Sequence, residues 1–340
     1  MGRPPTMADI ARAAGVSRVA VSYALNDRPG VSPEVRDRIR KIAEDLGFRA
    51  SGPARSLHGA RPMAIGMTML RPAKAFHVEV FRREFISGAQ AELSSRGYGL
   101  ALQFVADPDA ELSVYSRWSA EQRVSGVIVS DVLVADPRPA FLAGLGLPAV
   151  AIGGPLPSGD VTCLWSGDTE AAAVAVQYLA GLGHRRIARV SGPEGLLHTA
   201  ARTNAFLQAC THNGIEGTVL TADYTGEDGA RATRRLLSGG ARPTAILYDN
   251  DVMAVAGLGV ATEMGVAVPA ELSLVAWEDS PVCQVVRPAL TVLKRDLQAY
   301  GAHAVRLLFQ AIEGEPPVSV RDHTAQLVVR SSTGRAAAGS

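Results

Sequence analysis

Apolar side chains recur at helical spacing in three short runs within the first 48 residues. In the first run, Ile10, Ala13 and Ala14 form an apolar stripe. Thr6 before this stripe is a good N-cap, and Gly15 after it accepts the left-handed conformation that ends many helices. The pattern therefore predicts a short helix between Thr6 and Gly15.

Two more helices follow. Ser17 can cap a helix over 18–25, in which Val21 and Leu25 face inward. The third helix has Ser32 as N-cap and Pro33 at its first position. Its apolar positions are Val35, Ile39, Ile42 and Leu46, with Gly47 just past its end. Two helices joined by a tight turn that contains Gly, with a third helix as support, are typical of a helix-turn-helix unit.

From residue 63 the pattern changes to short apolar strands that alternate with amphipathic helices. Strands are predicted at 64–69, 99–104, 126–130, 148–152, 187–190, 245–247, 272–276, 290–293 and 325–330. Helices are predicted at 82–95, 109–123, 137–144, 170–182, 200–213, 227–238, 250–264 and about 296–313. Two successive sets of such units indicate an α/β body of two doubly wound parallel-sheet subdomains, with a cleft at the carboxyl ends of their strands.

The segment between the two patterns, 49–62, contains Gly and Pro at both ends, which is typical of a linker. The predicted organisation is a head at 1–49, a hinge at 50–62, a body at 63–334 and a disordered tail at 335–340.

Composition excludes a largely disordered chain, since 47% of the 340 residues are hydrophobic and 20% are charged. The net charge of +1 conceals an asymmetry. Residues 1–61 hold eleven basic and six acidic side chains and carry +5, whereas the rest of the chain carries −4. A basic head of this kind favours a nucleic-acid partner.

Further composition features concern compartment and redox state. No apolar run approaches the roughly 18–20 residues of a membrane span, and the N-terminus lacks the apolar stretch of a secretory signal. We therefore expect a cytoplasmic protein with no membrane partner. Cys163, Cys210 and Cys283 are far apart and lack metal-ligand spacing, so reduced thiols are expected rather than disulfides.

The second helix carries the candidate DNA contacts, because in this unit its N-terminal residues reach base edges in the major groove. Arg18 suits a guanine edge, Val19 a thymine methyl group, and Tyr23 a base or a phosphate. Candidate phosphate contacts are Thr6, Ser17, Ser22 and Asn26. The alternative is a small helical hairpin with a solvated basic face.

The run Thr6-Met-Ala-Asp-Ile-Ala-Arg-Ala-Ala-Gly-Val-Ser-Arg-Val-Ala-Val-Ser-Tyr-Ala-Leu-Asn26 resembles the head of the lactose-repressor (LacI/GalR) family of transcription regulators. Ala20 stands where many members have Thr, and Tyr23 stands where Arg or His is common. The resemblance implies that Ala54-Arg-Ser-Leu57 is a hinge helix that orders on DNA, with Leu57 wedged into a minor-groove step and Ala54 in close contact. Gly52-Pro53 departs from the family pattern and favours a later or shorter helix. The alternative is a flexible linker.

The resemblance continues through the body in Leu179-Ala-Gly-Leu-Gly-His-Arg-Arg-Ile187, Pro243-Thr-Ala-Ile246 and Asn250-Asp-Val-Met-Ala254. It implies a periplasmic-binding-protein-like fold with a small molecule between two lobes, and a homodimer whose contact face includes residues 82–95.

Candidate effector contacts follow from these matches. Arg202 corresponds to the family arginine that binds ligand hydroxyls or carboxylates, and Glu278 stands where the family has an acid. Asn250 opens a helix directly after a strand. The remaining candidates are Arg295 and the apolar or stacking residues Met69, Phe76, Trp165 and Tyr224. Such a set suits a sugar or related polyol, and also a nucleoside. The alternatives are an ion pair for Arg202, a helix cap for Asn250 and core positions for the aromatics.

No catalytic motif is present, and we expect neither a cofactor nor a metal. The sequence predicts a repressor that binds a pseudo-palindromic operator on double-stranded DNA as a dimer, under the control of a small effector. Alternatives are a periplasmic-type solute-binding protein without DNA function and an α/β enzyme with an added helical domain.

Overall fold

The computed structural model describes residues 5–25, 28–46, 48, 62–70 and 80–337. The chain divides into two compact units, Met1–Pro62 and Met63–Ser340, which we call the head unit and the body.

The head unit contains three helices, α1 (Met7–Ala14), α2 (Arg18–Leu25) and α3 (Pro33–Asp45). The predicted caps are confirmed. The Asp9 carboxylate accepts hydrogen bonds from the Thr6 N–H (2.9 Å) and hydroxyl (2.6 Å), as in a capping box. Ser17 Oγ accepts from the N–H of the third residue of α2 (3.1 Å), and Ser32 Oγ does the same for α3 (3.4 Å). Gly15 ends α1 at a φ of 65°.

The head core is built from Ile10, Val21 and Ile39, each fully buried. Two predicted core positions are wrong. Ala13 is exposed, because the arc of α1 that faces the core runs through positions 10, 14 and 11. Leu46 is 42% exposed, since it lies past the end of α3 and Ala43 takes the inward position.

One lobe of the body is built on a six-stranded sheet in which every pairing is parallel. Its spatial order is β11-β5-β4-β3-β1-β2. The strands are β1 (Ala64–Met69), β2 (Gly99–Phe104), β3 (Gly126–Val129), β4 (Ala149–Ile152), β5 (Thr162–Trp165) and β11 (Ser319–Arg321). The helices of this part of the chain are α4 (Val80–Ser95), α5 (Pro108–Ala120), α6 (Arg138–Gly144) and α12 (Leu297–Glu313).

The other lobe has a second six-stranded sheet, in the order β12-β10-β9-β8-β6-β7. Its strands are β6 (Arg186–Ser191), β7 (Glu216–Thr221), β8 (Ala245–Tyr248), β9 (Ser273–Trp277), β10 (Thr291–Lys294) and β12 (Gln326–Val328). Its helices are α7 (Asp168–Gly181), α8 (Leu197–His212), α9 (Gly226–Ser238), α10 (Asp251–Glu263) and α11 (Pro281–Val285).

The predicted alternation and its two sheets are confirmed, with differences in detail. The sequence pattern did not predict β5, β7 and β11. At least half of the residues of β7 and β11 are exposed, so these two strands show no continuous apolar run, whereas the buried strand β5 has no such explanation. The closing strand β12 pairs antiparallel to β10, so the second sheet is not wholly parallel.

Helices α4 and α12 pack closely because each carries a glycine at the contact. A Cβ on Gly88 would lie 1.9 Å from the Gln298 carbonyl oxygen, and one on Gly301 would lie 2.1 Å from the Phe85 carbonyl oxygen. Only glycine therefore fits at these two positions.

The three cysteines are buried and free, as expected. Within the described ranges, no helix combines the length and apolar character that a membrane crossing requires. No group of three potential metal ligands lies together in that part of the chain either.

Candidate functional site

The exposed start of α2 is the candidate DNA-reading surface. Arg18 is exposed, and Val19 is 59% exposed although it is apolar. Ser22 and Tyr23 are half-buried, and the Tyr23 ring lies against Gly30, where an added Cβ would be 3.2 Å from the ring. The structure thus presents Arg18 and Val19 to solvent and holds Tyr23 partly against its own unit.

The candidate phosphate contacts differ in their exposure and hydrogen-bond partners. The Thr6 hydroxyl is bonded to Asp9, and Ser17 is exposed while its hydroxyl caps α2. Asn26, Ala54 and Leu57 lie outside the described residues.

The body holds a cavity where strands of both sheets end. Its wall includes Asp131 after β3, Ser166 after β5, Glu278 after β9 and Arg295 after β10. The full lining is Val80, Phe81, Arg82, Asp131, Ile152, Gly153, Ser166, Asp168, His198, Arg202, Tyr224, Asp249, Asn250, Asp251, Glu278, Arg295 and Tyr300. The cavity measures about 80 Å³, so a sugar-sized ligand requires its walls to move apart.

A chain of ion pairs crosses this wall. Arg202 binds Asp168 Oδ2 through Nε (2.9 Å) and Nη2 (2.8 Å). Arg295 Nη1 lies 3.8 Å from the other oxygen of Asp168, and its Nε and Nη2 donate to Glu278 Oε1 at 3.1 and 2.8 Å. Burial alone would raise the pKa of Asp168, but Arg202 and Arg295 outweigh it and hold that pKa at about 2. Asp168 is therefore a carboxylate at neutral pH.

Aromatic rings lie against both of these arginines. The Arg202 guanidinium stacks 3.9 Å from the Trp277 ring, and Arg295 lies near the rings of Phe81 and Tyr300. Arg202 thus has the ion pair that was its alternative role, and it also lines the cavity.

Behind the wall, Arg189 holds Asp249 with two hydrogen bonds of 2.7 and 2.6 Å, and both side chains are fully buried. The Gly192 N–H adds a third hydrogen bond to the same carboxylate. Asp249 lines the cavity, and Arg189 behind it compensates its charge.

His198 and Tyr224 form a polar pair at the wall. His198 Nε2 and the Tyr224 hydroxyl are 2.8 Å apart, and the two rings stack. Burial, reinforced by the charge of Arg202, lowers the pKa of His198 to about 4. The imidazole is therefore neutral near pH 7, where it can donate or accept one hydrogen bond at each nitrogen.

Left-handed backbone occurs at three wall residues that are not glycine. Asp131, Tyr224 and Glu278 have φ values of 51°, 70° and 71°. Such conformations cost energy, and they cluster where a structure aims side chains at a site.

Asn250 plays the alternative role that its position suggested. Its Oδ1 accepts from the Met253 N–H (2.8 Å) and so caps α10, while its Nδ2 donates to the Tyr224 carbonyl (2.9 Å). It lines the cavity and fixes the Tyr224 backbone, but both of its polar atoms have partners.

Of the other predicted wall residues, Met69 and Trp165 lie away from the cavity lining. Met69 is buried behind Arg82, which donates to its sulfur (3.3 Å). Trp165 donates to Ser319 in β11 and lies beneath Arg321. Phe76 lies outside the described residues. The structure therefore brings together Arg202, Tyr224, Asn250, Glu278 and Arg295.

Several wall residues escaped sequence reasoning. Among them Arg82, Asp131, Asp168 and His198 carry the polar chemistry. A usable signal existed for Asp131, which comes two residues after the predicted strand β3, but not for Asp168, because the strand before it, β5, was not predicted. Arg82 and His198 lie in the first turns of helices, where their spacing gave no such signal.

Comparison with known proteins decides the family. Residues 6–51 match the family model "Bacterial regulatory proteins, lacI family", and residues 176–333 match "Periplasmic binding protein-like domain". The chain is 30% identical to the HTH-type transcriptional regulator AglR of Rhizobium meliloti (strain 1021) over 98% of its own length and 95% of that protein. The chain belongs to the LacI family.

Solved structures of LacI-family proteins share its fold. A LacI family transcriptional regulator from Bifidobacterium animalis subsp. lactis is 35% identical, with a TM-score of 0.75 over 82% of this chain and all of the other. The transcriptional regulator CelR in complex with cellobiose is 27% identical, with a TM-score of 0.74 over 96% of this chain and 99% of that one.

As a LacI-family protein, this chain is a helix-turn-helix DNA-binding transcriptional regulator. The head match removes the alternative of a solute-binding protein without DNA function. These relatives are transcriptional regulators rather than enzymes.

Proposed function

We propose that the protein is a cytoplasmic repressor that binds a pseudo-palindromic operator as a homodimer and is controlled by a sugar in the body cavity. The observation that carries the proposal is the ion-paired wall of Arg202, Asp168, Arg295 and Glu278, which leaves Glu278 Oε2 without a hydrogen-bond partner among the described residues. A buried acceptor of this kind favours a ligand with hydroxyl groups, because each hydroxyl can donate to it.

On the DNA side, Arg18 and Val19 contact base edges, since both are exposed at the start of α2. Tyr23 contacts the edge of the same site, and Thr6, Ser17, Ser22 and Asn26 contact phosphates. Ala54 and Leu57 enter the minor groove in this proposal. Two heads are needed for two half-sites, so a dimer is the binding species.

On the effector side, Glu278 and Arg202 bind ligand hydroxyls and Tyr224 forms a wall. Arg295 and Asn250 hold Glu278 and the Tyr224 backbone in place. The complex of CelR with cellobiose supports a sugar as the ligand class. A related polyol or a nucleoside is the competing class.

The ligand controls operator binding if it binds the two states of the protein with unequal affinity. A ligand that binds the body differently in the DNA-bound and free states shifts operator occupancy by the ratio of its two affinities.

The test begins with selection of bound DNA fragments by the full-length protein, followed by footprinting of the selected site. Titration of the protein–operator complex with a panel of sugars and nucleosides should then change the apparent affinity at least about fivefold for one compound. A footprint without two related half-sites would contradict the dimeric operator. A response only to nucleosides would contradict the proposal that the effector is a sugar.

A further inference from the structure

The charges of the cavity wall narrow the ligand class further. Three guanidinium groups line the cavity, and each is paired within the protein. Arg82 pairs with Asp131, Arg202 with Asp168, and Arg295 with Glu278. All three have less than a tenth of their side chains exposed. A ligand that approaches the wall therefore meets no guanidinium that lacks a counter-ion.

Carboxylates are in excess at the same wall. Five acidic residues line it, and four of them face an arginine, counting Arg189 behind Asp249. The fifth, Asp251, is 5% exposed and forms no ion pair with another described residue. Burial raises the pKa of Asp251, and the charge of Glu278 adds to this against a hydrogen bond from Ser280. Whether Asp251 is ionised or neutral, the wall has no net positive charge.

One buried acceptor of the described wall residues lacks a partner. Glu278 is 5% exposed, its Oε1 takes both hydrogen bonds from Arg295, and its Oε2 lacks a partner within the described ranges. A buried carboxylate oxygen without a partner costs free energy, which a ligand donor would recover.

We propose that this cavity selects an uncharged, hydroxyl-bearing ligand and rejects the carboxylate and phosphate forms of the same compound. The proposal rests on the proposed effector function and adds the charge class of the ligand. A ligand hydroxyl donates to Glu278 Oε2 without disturbing any pair. An anion that displaces Asp131, Asp168 or Glu278 from its arginine would leave a carboxylate without its counter-ion, and an anion that displaces none of them would add negative charge to a wall that has no net positive charge.

Glu278 is then the residue that sets this selectivity. Glu278→Gln keeps the size of the side chain and removes one negative charge, so Arg295 loses its nearest counter-ion. We expect the variant to bind the neutral ligand about tenfold more weakly and to lose most of its preference for neutral over anionic forms, because hydrogen bonds to charged groups are the stronger ones. The matched control is Glu170→Gln, which breaks a half-exposed pair with Arg321 outside the cavity lining and should change neither value.

The experiment measures Kd by calorimetry on the full-length protein with matched compounds. The sets are glucose, gluconate and glucose 6-phosphate; cellobiose and cellobionate; and adenosine and adenosine monophosphate. We expect the neutral member of at least one set to bind at least about tenfold more tightly than its anionic partners, which corresponds to about 1.4 kcal/mol.

Two outcomes overturn the proposal. One is an anionic member that binds as tightly as its neutral partner, and the other is the absence of binding by every neutral compound. Operator binding is measured on the same preparation, so that failure of ligand selectivity is distinguished from failure of the regulator function. Preference for adenosine over its monophosphate, with no sugar binding, would contradict a sugar as the effector but would support selectivity for uncharged ligands.

Discussion

Leu133 and Leu197 each pack against the hydrophobic core of the other lobe. Leu133 follows a strand of the first sheet and contacts the cluster around Tyr248, whereas Leu197 begins α8 and contacts the cluster around Val129. Their backbones are joined as well. The Leu197 N–H donates to the Val132 carbonyl (2.8 Å), and Leu133 forms an antiparallel bridge with Leu196. The two segments adjoin cavity residues along the chain, since Asp131 directly precedes residue 132 and His198 directly follows residue 197. We call residues 132–134 and 195–197 the clasp.

Truncating the leucine side chains of the clasp should weaken the contact between the two lobes. Leu133→Ala and Leu197→Ala are each expected to lower the free energy of unfolding by about 1–2 kcal/mol, less than for fully buried leucines because both are half-buried. Ligand association should become faster, because the cavity must widen to admit a sugar. Denaturant unfolding and stopped-flow binding measure the two effects. Val134→Ala is the control, since that side chain is 55% exposed in the same segment, and equal losses from all three variants would contradict the clasp.

Arg18→Ala should weaken specific operator binding by about 1–3 kcal/mol and relax the preference at one base pair, since a bidentate arginine discriminates among bases. Fluorescence anisotropy with the operator and with single-base variants measures both values. Arg38→Ala is the matched control, because Arg38 is also exposed but lies on α3. If the two variants lose the same affinity for every sequence, Arg18 contacts phosphate rather than a base.

The stability of the body should fall on mild acidification. The pKa of His198 is lowered from 6.5 to about 4 in the folded protein, so the unfolded chain binds this proton more readily at intermediate pH. The contribution of neutral His198 to the free energy of unfolding is complete above pH 6.5 and is lost as the pH falls through the range from 6.5 to about 4.

His198→Gln should therefore reduce the drop in Tm between pH 7.5 and pH 5. Thermal unfolding at the two pH values makes the comparison. His323→Gln serves as the control, since that side chain is 98% exposed. A drop unchanged by His198→Gln would assign the acid sensitivity to other groups.

Gly301→Ala should separate α4 from α12, because the added methyl group would lie 2.1 Å from a backbone oxygen that cannot rotate away. We expect a loss of at least about 2 kcal/mol in the free energy of unfolding, typical of overpacking against a rigid neighbour. Gly259→Ala is a matched change within helix α10, where the new methyl group meets nothing within 4 Å. That variant should be neutral or slightly stabilising, because alanine favours the helix. Comparable losses in the two variants would argue against close packing as the cause.

The sequence by itself determined the local structure. Caps such as Ser17 and Ser32 and the turn at Gly15 depend on side chains a few residues away, so the chain pattern contains all that they require. The same holds for most strands and helices of the body. Half-exposed strands such as β7 escaped prediction, because they bury too little surface to show a pattern.

Only the tertiary structure decided the composition of the cavity. Asp168 and Arg295 are more than 120 positions apart in the chain, yet they face each other across the wall because parallel strands of two sheets end at the same place. Whether an aromatic residue at a strand end lines the cavity or packs elsewhere depends on its through-space neighbours. Tyr224 reaches the cavity through left-handed backbone, whereas Trp165 is turned toward β11. Pairings of this kind depend on atoms brought together by folding, and sequence spacing does not contain them.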